Sequence, residues 1–217
     1  MLFTPLFNWQ LENGLFRFLI DYRENKDKQK SLFTSVVLTN VLQSILYIIF
    51  YAIMQGYITS EYKIFLAIDV VLNIMLNTLL QFPRGVGKNG VYSFGSFLSA
   101  TTTVCLNVIF IAVFRWGAYG LFIATVLAKI FTCIYLCFAM KVWEDFSPKL
   151  ASLTFMKDVL KYSIPLVPNQ LSWWVVGASD RAIVSHIVGI AANGVYSVAN
   201  KFSTVYVTFY NIFNMSL

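Results

Sequence analysis

Long apolar runs dominate the chain, and short clusters of charged and polar residues separate them. A transmembrane helix needs roughly 20 mostly apolar residues to cross a hydrocarbon core of about 30 Å. We therefore predict an all-α, polytopic transmembrane helix bundle of about seven membrane segments, at residues 1–20, 31–60, 64–82, 89–114, 116–140, 162–188 and 189–217.

Composition excludes an ordinary soluble domain. The 217 residues are 58% hydrophobic and only 12% charged, and the mean hydropathy is +0.68. A net charge of +6 would suit a nucleic-acid partner. We predict no such partner, because the basic residues follow the pattern of membrane topology.

Basic residues concentrate in alternate loops. Ten of them follow the first, third and fifth segments: Arg23, Lys26, Lys28, Lys30, Arg84, Lys88, Lys141, Lys149, Lys157 and Lys161. The intervening loops hold only Lys63 and Arg115. The positive-inside rule predicts that the ten lie in the cytoplasm.

A polar ridge runs along the third segment. Asp69 is followed at successive fourth positions by Asn73, Asn77 and Gln81, which share one helix face with a drift of about 40° per step. Single amides often hold helices together in lipid, but four polar groups in register favour a polar cavity. The neighbouring spans carry weaker stripes, for which lumen and packing stay equal alternatives: Ser35, Thr39, Gln43, Tyr47, and Tyr92, Ser96, Ser99, Thr103, Asn107.

The fifth segment carries a lysine near mid-membrane. Lys129 lies in a stripe with Thr125 and Thr132, and a small-residue face for close helix contact is formed by Gly120, Ala124 and Ala128. Lys129 is too central to reach an interface by snorkelling. It therefore needs either a buried partner such as Asp69 or an anionic ligand.

The last two segments also hold polar residues. Asn169, Trp173 and Asp180 fall within about 40° of one helix face, and Arg181 points roughly 100° further round. Pro165 and Pro168 predict either a hinge or a helix start. The final segment presents a polar side that includes Asn200 and Lys201.

Neither metal nor catalytic chemistry is predicted. Cys105, Cys133 and Cys137 lie inside predicted spans, and no His or carboxylate flanks them at ligand spacing, so packing is the favoured role. No catalytic motif is present. We predict a non-enzyme without metal or other cofactors.

Several motifs resemble one transporter family. They comprise Pro165, Pro168 and Asn169; Trp174 and the run from Ala178 to Arg181; Gly194, Tyr196, Ser197, Ala199, Asn200 and Lys201; and, nearer the start, Leu15 to Arg17 and Arg84 to Ser93. Together they resemble the central region of the polysaccharide repeat-unit flippases, the O-antigen and capsule exporters of the MOP superfamily.

The resemblance implies a partial chain of a two-bundle transporter. It covers about half of the family's length, from within helix 2 to within helix 8. Residues 1–140 would form the first helical bundle up to helix 6, residues 141–161 a cytoplasmic linker, and residues 162–217 the start of the second bundle.

By resemblance, the substrate is a lipid-linked oligosaccharide on undecaprenyl diphosphate, moved across the bacterial cytoplasmic membrane for lipopolysaccharide or capsule biosynthesis. Membrane lipids and a polysaccharide polymerase or export machinery would be partners. The implied phosphate or sugar contacts are Arg17, Lys129, Arg181 and Lys201, with Asp69 and Asp180 as charge partners or ion-coupling groups. The remaining lumen candidates are Asn73, Asn77, Asn169, Trp173 and Asn200.

Two alternatives stay open. A multidrug or cation antiporter of the same superfamily would favour an acidic lumen. A membrane-embedded glycan polymerase or ligase would need a large outer loop with catalytic residues, whereas the longest predicted loop, residues 141–161, is placed inside by its charge.

Overall fold

The computed structural model describes residues 7, 9–56, 62–189 and 191–200, and all regular secondary structure within them is helical. The predicted all-α class is confirmed. The helices are α1 (Leu11–Asp21), α2 (Lys26–Met54), α3 (Lys63–Gly85), α4 (Asn89–Asn107), α5 (Gly117–Met140), α6 (Val142–Asp145), α7 (Leu153–Ser163) and α8 (Leu166–Ile187). A π-helix, Val108–Val113, continues α4, and a 3₁₀ turn, Pro148–Leu150, precedes α7. Residues 191–200 are also helical.

Four helices of the described part are long and apolar enough to cross a membrane: α2, α3, α4 with its π-helical continuation, and α5. They match the four predicted segments between residues 31 and 140. The predicted segment 162–188 is divided, because α7 ends at Ser163 and α8 begins at Leu166. Helix α8 has the length of a span but is less apolar than these four. The first and last predicted segments lie partly outside the described residues.

The polarity of α2 is inverted relative to a helix of a soluble protein. Its buried residues include Thr34, Ser35, Thr39, Asn40, Gln43 and Ser44. Its exposed residues include Val41, Leu42, Ile45, Leu46, Ile48, Ile49 and Ile53. In water this helix would expose its apolar side at a large cost, whereas in hydrocarbon the same side needs no cover. The burial pattern therefore agrees with a lipid environment.

Small residues bring α4 and α5 together. Gly120, Ala124 and Ala128 are buried, as predicted for the small-residue face of α5. A Cβ at Gly120 would lie 3.1 Å from both Cβ and the carbonyl oxygen of Phe110 in the π-helix. The α5 backbone can approach that closely only because position 120 has no side chain.

Two glycines let α1 pack tightly. A Cβ at Gly14 would lie 2.5 Å from Ser163 Oγ of α7, and a Cβ at Gly85 would lie 2.6 Å from Leu19 Cδ1 of α1. Around these contacts, α1, α2, α3, α7 and the end of α5 share one apolar core: Leu11, Leu15, Leu19, Leu32, Phe33, Val36, Phe82, Met140 and Val159. This core fixes where α3 ends and the following loop begins.

The segment 141–161, predicted as a linker, contains α6, the 3₁₀ turn and most of α7. Hydroxyl groups of α2 hold it in place. Thr34 Oγ1 accepts a hydrogen bond from Ser147 N at 3.1 Å, and Ser35 Oγ accepts one from Ser152 N at 2.9 Å. The segment therefore lies against the first turns of α2.

The chain divides into two compact units, Met1–Pro168 and Asn169–Leu217. The first contains α1 to α7. The described part of the second contains most of α8 and the helix at residues 191–200, where Tyr196 Oη donates a hydrogen bond to Asp180 Oδ2 at 3.5 Å. The three-part domain organisation stays a prediction.

Candidate functional site

An ion pair joins two membrane-spanning helices of the first unit. Lys129 Nζ of α5 lies 2.6 Å from Asp69 Oδ1 of α3, and the two side chains are 14% and 11% exposed. Close packing of α3 on α5 sets this distance. Of the two alternatives for Lys129, a buried partner or an anionic ligand, the first is the geometry observed.

The ion pair lowers the free-energy cost of placing each of the two charges in a membrane. An ionised side chain near the centre of a membrane costs roughly 2.5 to 3.5 kcal/mol on insertion scales. Mutual neutralisation removes most of that cost and ties α3 to α5. Lys129 keeps ammonium N–H donors beyond the one used by Asp69, because an ammonium has three. The role of the pair in transport stays a prediction.

The predicted polar ridge continues from Asp69 toward the end of α3. Asn73, Asn77 and Gln81 are partly exposed, whereas Ile74 and Thr78, each about 100° round the helix from the amide before it, are buried.

The ridge amides differ in their partners. Gln81 Oε1 accepts a hydrogen bond from Arg84 Nη1 at 3.4 Å. The side-chain amides of Asn73 and Asn77 make no hydrogen bond to another residue in the described ranges. Two amides inside a membrane-spanning helix are therefore available to a ligand or to water.

The stripe on α2 is a packing surface. Thr39, Gln43 and Tyr47 are fully buried. Thr39 Oγ1 donates to the carbonyl of Ser35 at 2.8 Å, which satisfies the hydroxyl within its own helix. Gln43 Nε2 donates to the carbonyl oxygen of Phe7. For this stripe the packing alternative is the one observed.

The stripe on α4 is more open. Its members are all partly exposed: Tyr92, Ser96, Ser99, Thr103 and Asn107. Thr103 Oγ1 nevertheless donates to the carbonyl of Ser99 at 2.7 Å. The Thr103 hydroxyl is therefore less available for hydrogen bonding to a ligand than the side-chain amides of Asn73 and Asn77 are.

Arg17 lies far from this ion pair. Its guanidinium Nη1 is 2.8 Å from Asp21 Oδ1, and both side chains are about half exposed. Leu19, half a turn further along α1, packs against Gly85 at the end of α3. Asp69 lies about four and a half turns before Gly85, or about 24 Å along the helix. The structure therefore does not bring Arg17 together with Asp69 and Lys129.

The second unit holds most of the remaining predicted site residues. Asn169, Trp173, Asp180 and Arg181 all lie on α8 with exposed side chains. Their grouping with the ridge of α3 stays a prediction. Asn200 is partly buried in the helix at residues 191–200, and Lys201 lies outside the described residues.

The two prolines mark the beginning of α8. Pro165 lies in the turn between α7 and α8, and Pro168 lies in the first turn of α8. A proline in the first turn removes no helical hydrogen bond. The geometry therefore matches the predicted helix start.

Sequence reasoning missed a basic cavity. Three loops meet at one end of the first unit and enclose about 580 Å³, lined by Arg23, Lys26, Gln29, Lys30, Phe82, Val86, Lys88, Phe138, Ala139, Met140, Lys141, Glu144 and Asp145. The basic residues among these had indicated only membrane topology. The sequence did contain a pattern that predicts such a cavity. The basic loops were all placed on one side of the membrane, and loops on one side of a helix bundle lie near one another.

Comparison with known proteins places the chain in a family. No curated protein sequence matches it. A solved structure of a MOP superfamily transporter from Pyrococcus furiosus shares its fold, with a TM-score of 0.71 at 17% identity. That match covers 93% of this chain and 50% of the transporter, so the chain spans about half of that protein's length. The family model described as polysaccharide biosynthesis protein matches residues 1–217. The chain therefore belongs to the polysaccharide biosynthesis protein family.

Proposed function

We propose that this chain is part of a membrane transporter that flips lipid-linked oligosaccharides, carried on undecaprenyl diphosphate, across the bacterial cytoplasmic membrane. The family match supports a role in polysaccharide biosynthesis. The fold match and the four apolar helices support a transporter embedded in a membrane. The observation that carries the proposal is the ridge of α3, where the side-chain amides of Asn73 and Asn77 have no hydrogen-bond partner among the described residues and lie inside a span.

Amides suit a carbohydrate ligand. Each one offers two N–H donors and a carbonyl acceptor, and each sugar hydroxyl both donates and accepts. Asn73 and Asn77 are one helical turn apart, so they can contact neighbouring hydroxyls of one sugar chain. An apolar helix gains nothing from unpaired amides in lipid, because each unsatisfied polar group there costs free energy.

The ion pair supplies charge beside the ridge. Asp69 is one turn before Asn73 on the same face, so the Lys129 ammonium lies close to the amides. We propose that a diphosphate passing the ridge accepts hydrogen bonds from the N–H donors of Lys129 that Asp69 leaves free. The polyprenyl tail stays in lipid against the apolar outer faces while the two bundles rock.

The antiporter alternative would need an acidic ligand site. Asp69 is the acidic residue of the ridge, and Lys129 neutralises it. The pair is balanced, so its charge favours neither a basic nor an acidic lumen. The family match favours the oligosaccharide.

The polymerase or ligase alternative would need a large loop on the outer side. The segment 141–161, which is the longest loop predicted from the sequence, is held against α2 at the end where the basic loops meet. This arrangement gives the alternative no support.

Glycan export by a bacterium tests the proposal. The full chain would be expressed in a strain whose own repeat-unit exporter is deleted, and surface polysaccharide and accumulated lipid-linked repeat units would be measured. Asn73→Leu with Asn77→Leu should abolish surface polysaccharide while repeat units accumulate. The control Thr103→Val, whose hydroxyl bonds to its own helix, should export normally.

Export at the unmodified level by the double Asn variant, at equal protein abundance, would remove the ridge from the mechanism. Drug efflux by the unmodified chain, with no restored polysaccharide, would favour the antiporter.

A further inference from the structure

The basic cavity gathers charges from separate loops. Five cations line it. Arg23 lies in the loop before α2, Lys26 and Lys30 lie at the beginning of α2, Lys88 lies in the loop before α4, and Lys141 directly follows α5. The acidic residues of its lining are Glu144 and Asp145. The cavity therefore has an excess of positive charge even with both carboxylates ionised.

Two of the five cations are already engaged. Lys30 Nζ donates to the Glu144 carbonyl at 2.9 Å and lies 3.7 Å from Asp145 Oδ1. Lys141 Nζ lies 3.3 Å from Glu144 Oε1. These contacts join α6 to the ends of α2 and α5, so they position the wall of the cavity.

The other three cations keep free donors. Arg23 uses Nε to donate to the carbonyl of Gly85 at 2.9 Å, which fixes the guanidinium and leaves its two terminal nitrogens available. The side-chain ammonium groups of Lys26 and Lys88 form no hydrogen bond or ion pair with another residue of the described ranges. Cations that converge on one open volume raise the positive potential there, so they attract an anion more strongly than cations scattered over a surface.

The inner wall of the cavity is apolar. Of its lining residues, Phe82 and Met140 are 2% and 4% exposed, whereas Phe138 is 67% exposed. A ligand there would meet cations on one side and apolar surface on the other. Three membrane-spanning helices end at this cavity, so it opens at the level where lipid phosphates lie.

We propose that the basic cavity binds a phosphate or diphosphate group through Arg23, Lys26 and Lys88. Two sources of that group fit the lining: the headgroup of a membrane lipid, whose chains would continue past Phe138, and a free phosphate or diphosphate from solution. This site is distinct from the ridge of α3 and does not depend on which molecule is transported.

Binding measurements on the purified full chain test the site. Unlabelled inorganic diphosphate would be titrated against the detergent-solubilised protein by calorimetry, and lipid retention would be measured by native mass spectrometry after incubation with undecaprenyl phosphate or with phosphatidylglycerol. The test variant is Lys26→Gln with Lys88→Gln. The matched control is Lys157→Gln with Lys161→Gln, which removes the same charge from exposed positions on α7 outside the cavity.

We expect the test variant to bind about tenfold more weakly or worse, corresponding to at least about 1.4 kcal/mol, while the control binds like the unmodified chain. Loss for both diphosphate and lipid would assign the site to phosphate groups of either source, and loss for lipid alone would assign it to a headgroup. Equal weakening in test and control variants would overturn the proposal, because general charge attraction would then explain binding. Absence of binding of all three probes to the unmodified chain would also overturn it.

Discussion

Lys129 Nζ and Asp69 Oδ1 are 2.6 Å apart, on two helices that are separated by a complete membrane crossing in the sequence. Each residue alone would be an expensive charge in hydrocarbon. Together they form a neutral polar unit at one end of the amide ridge. The arrangement makes distinct predictions for stability and for access of water.

Removing one member of the pair should destabilise the protein strongly. Lys129→Met leaves the Asp69 carboxylate buried without a counter-charge, which costs about 3 to 5 kcal/mol in comparable buried pairs. The apparent Tm of the purified chain in detergent should fall accordingly. Lys129→Met combined with Asp69→Leu should recover most of that loss, since no charge then remains.

An exposed ion pair provides the comparison. Arg17 and Asp21 are about half exposed, so Arg17→Gln should change the apparent Tm little. If Lys129→Met behaved like Arg17→Gln, the pair would be solvated and the described burial would be wrong.

A hydrogen bond between α2 and α3 should contribute modestly. Asn40 Nδ2 donates to Thr78 Oγ1 at 2.6 Å, and both residues are at most 2% exposed. Thr78→Val should cost about 0.6 kcal/mol, the average for interhelical hydrogen bonds in a membrane protein. Thr78→Val with Asn40→Leu should be nearly neutral, because neither partner is left unsatisfied. Thermal unfolding of the two variants and the unmodified chain measures the difference, and an equal loss in both variants would contradict the contact.

Two glycines at the ends of neighbouring helices should respond differently to the same change. Gly85→Ala places a Cβ 2.7 Å from Leu19 Cβ, which a side-chain rotation cannot relieve, so α1 must shift. A loss of about 1 to 3 kcal/mol is expected from such overpacking.

Gly90 is the matched control, since nothing lies within 4 Å of an added Cβ there. Gly90→Ala should be neutral or slightly stabilising, because alanine favours the helix. Proteolysis resistance and apparent Tm would report both variants, and equal tolerance at the two positions would contradict the close contact of α1 with α3.

Much of the first unit could be predicted from local patterns. Apolar length gave the spans from α2 to α5, and spacing placed Asp69, Asn73 and Asn77 on one face. Asp69 could be predicted as the partner of Lys129, because a lone charge in lipid is costly and few carboxylates lie within the predicted spans. The small-residue face of α5 could also be predicted from the sequence, since close helix approach requires small side chains.

Other features depend on contacts between distant parts of the chain. Thr34 and Ser35 bind the backbone of residues 147 and 152, and no local pattern distinguishes such hydroxyls from those that bond to their own helix. The basic cavity was missed for a similar reason. Its lysines come from the beginning of α2, the loop before α4 and the end of α5, and the sequence alone gives their side of the membrane but not the distances between them.

Access of water to the ridge of α3 is the most direct test of the transport account. In a chain with Cys105, Cys133 and Cys137 replaced by alanine, single cysteines would be introduced in native membranes and treated with a charged, membrane-impermeant maleimide. Thiols react as thiolates, which form only where water reaches them. In membrane fragments that are open on both sides, Asn73→Cys and Asn77→Cys should react, as should Lys149→Cys in the 3₁₀ turn.

The same experiment contains its own control. Ile49→Cys and Phe131→Cys lie on apolar faces and are each 53% exposed, so they should stay unlabelled because lipid surrounds them. If positions 73 and 77 stayed as unreactive as positions 49 and 131 while position 149 reacted, the ridge would face lipid or dry protein, and the proposed path for an oligosaccharide would be contradicted.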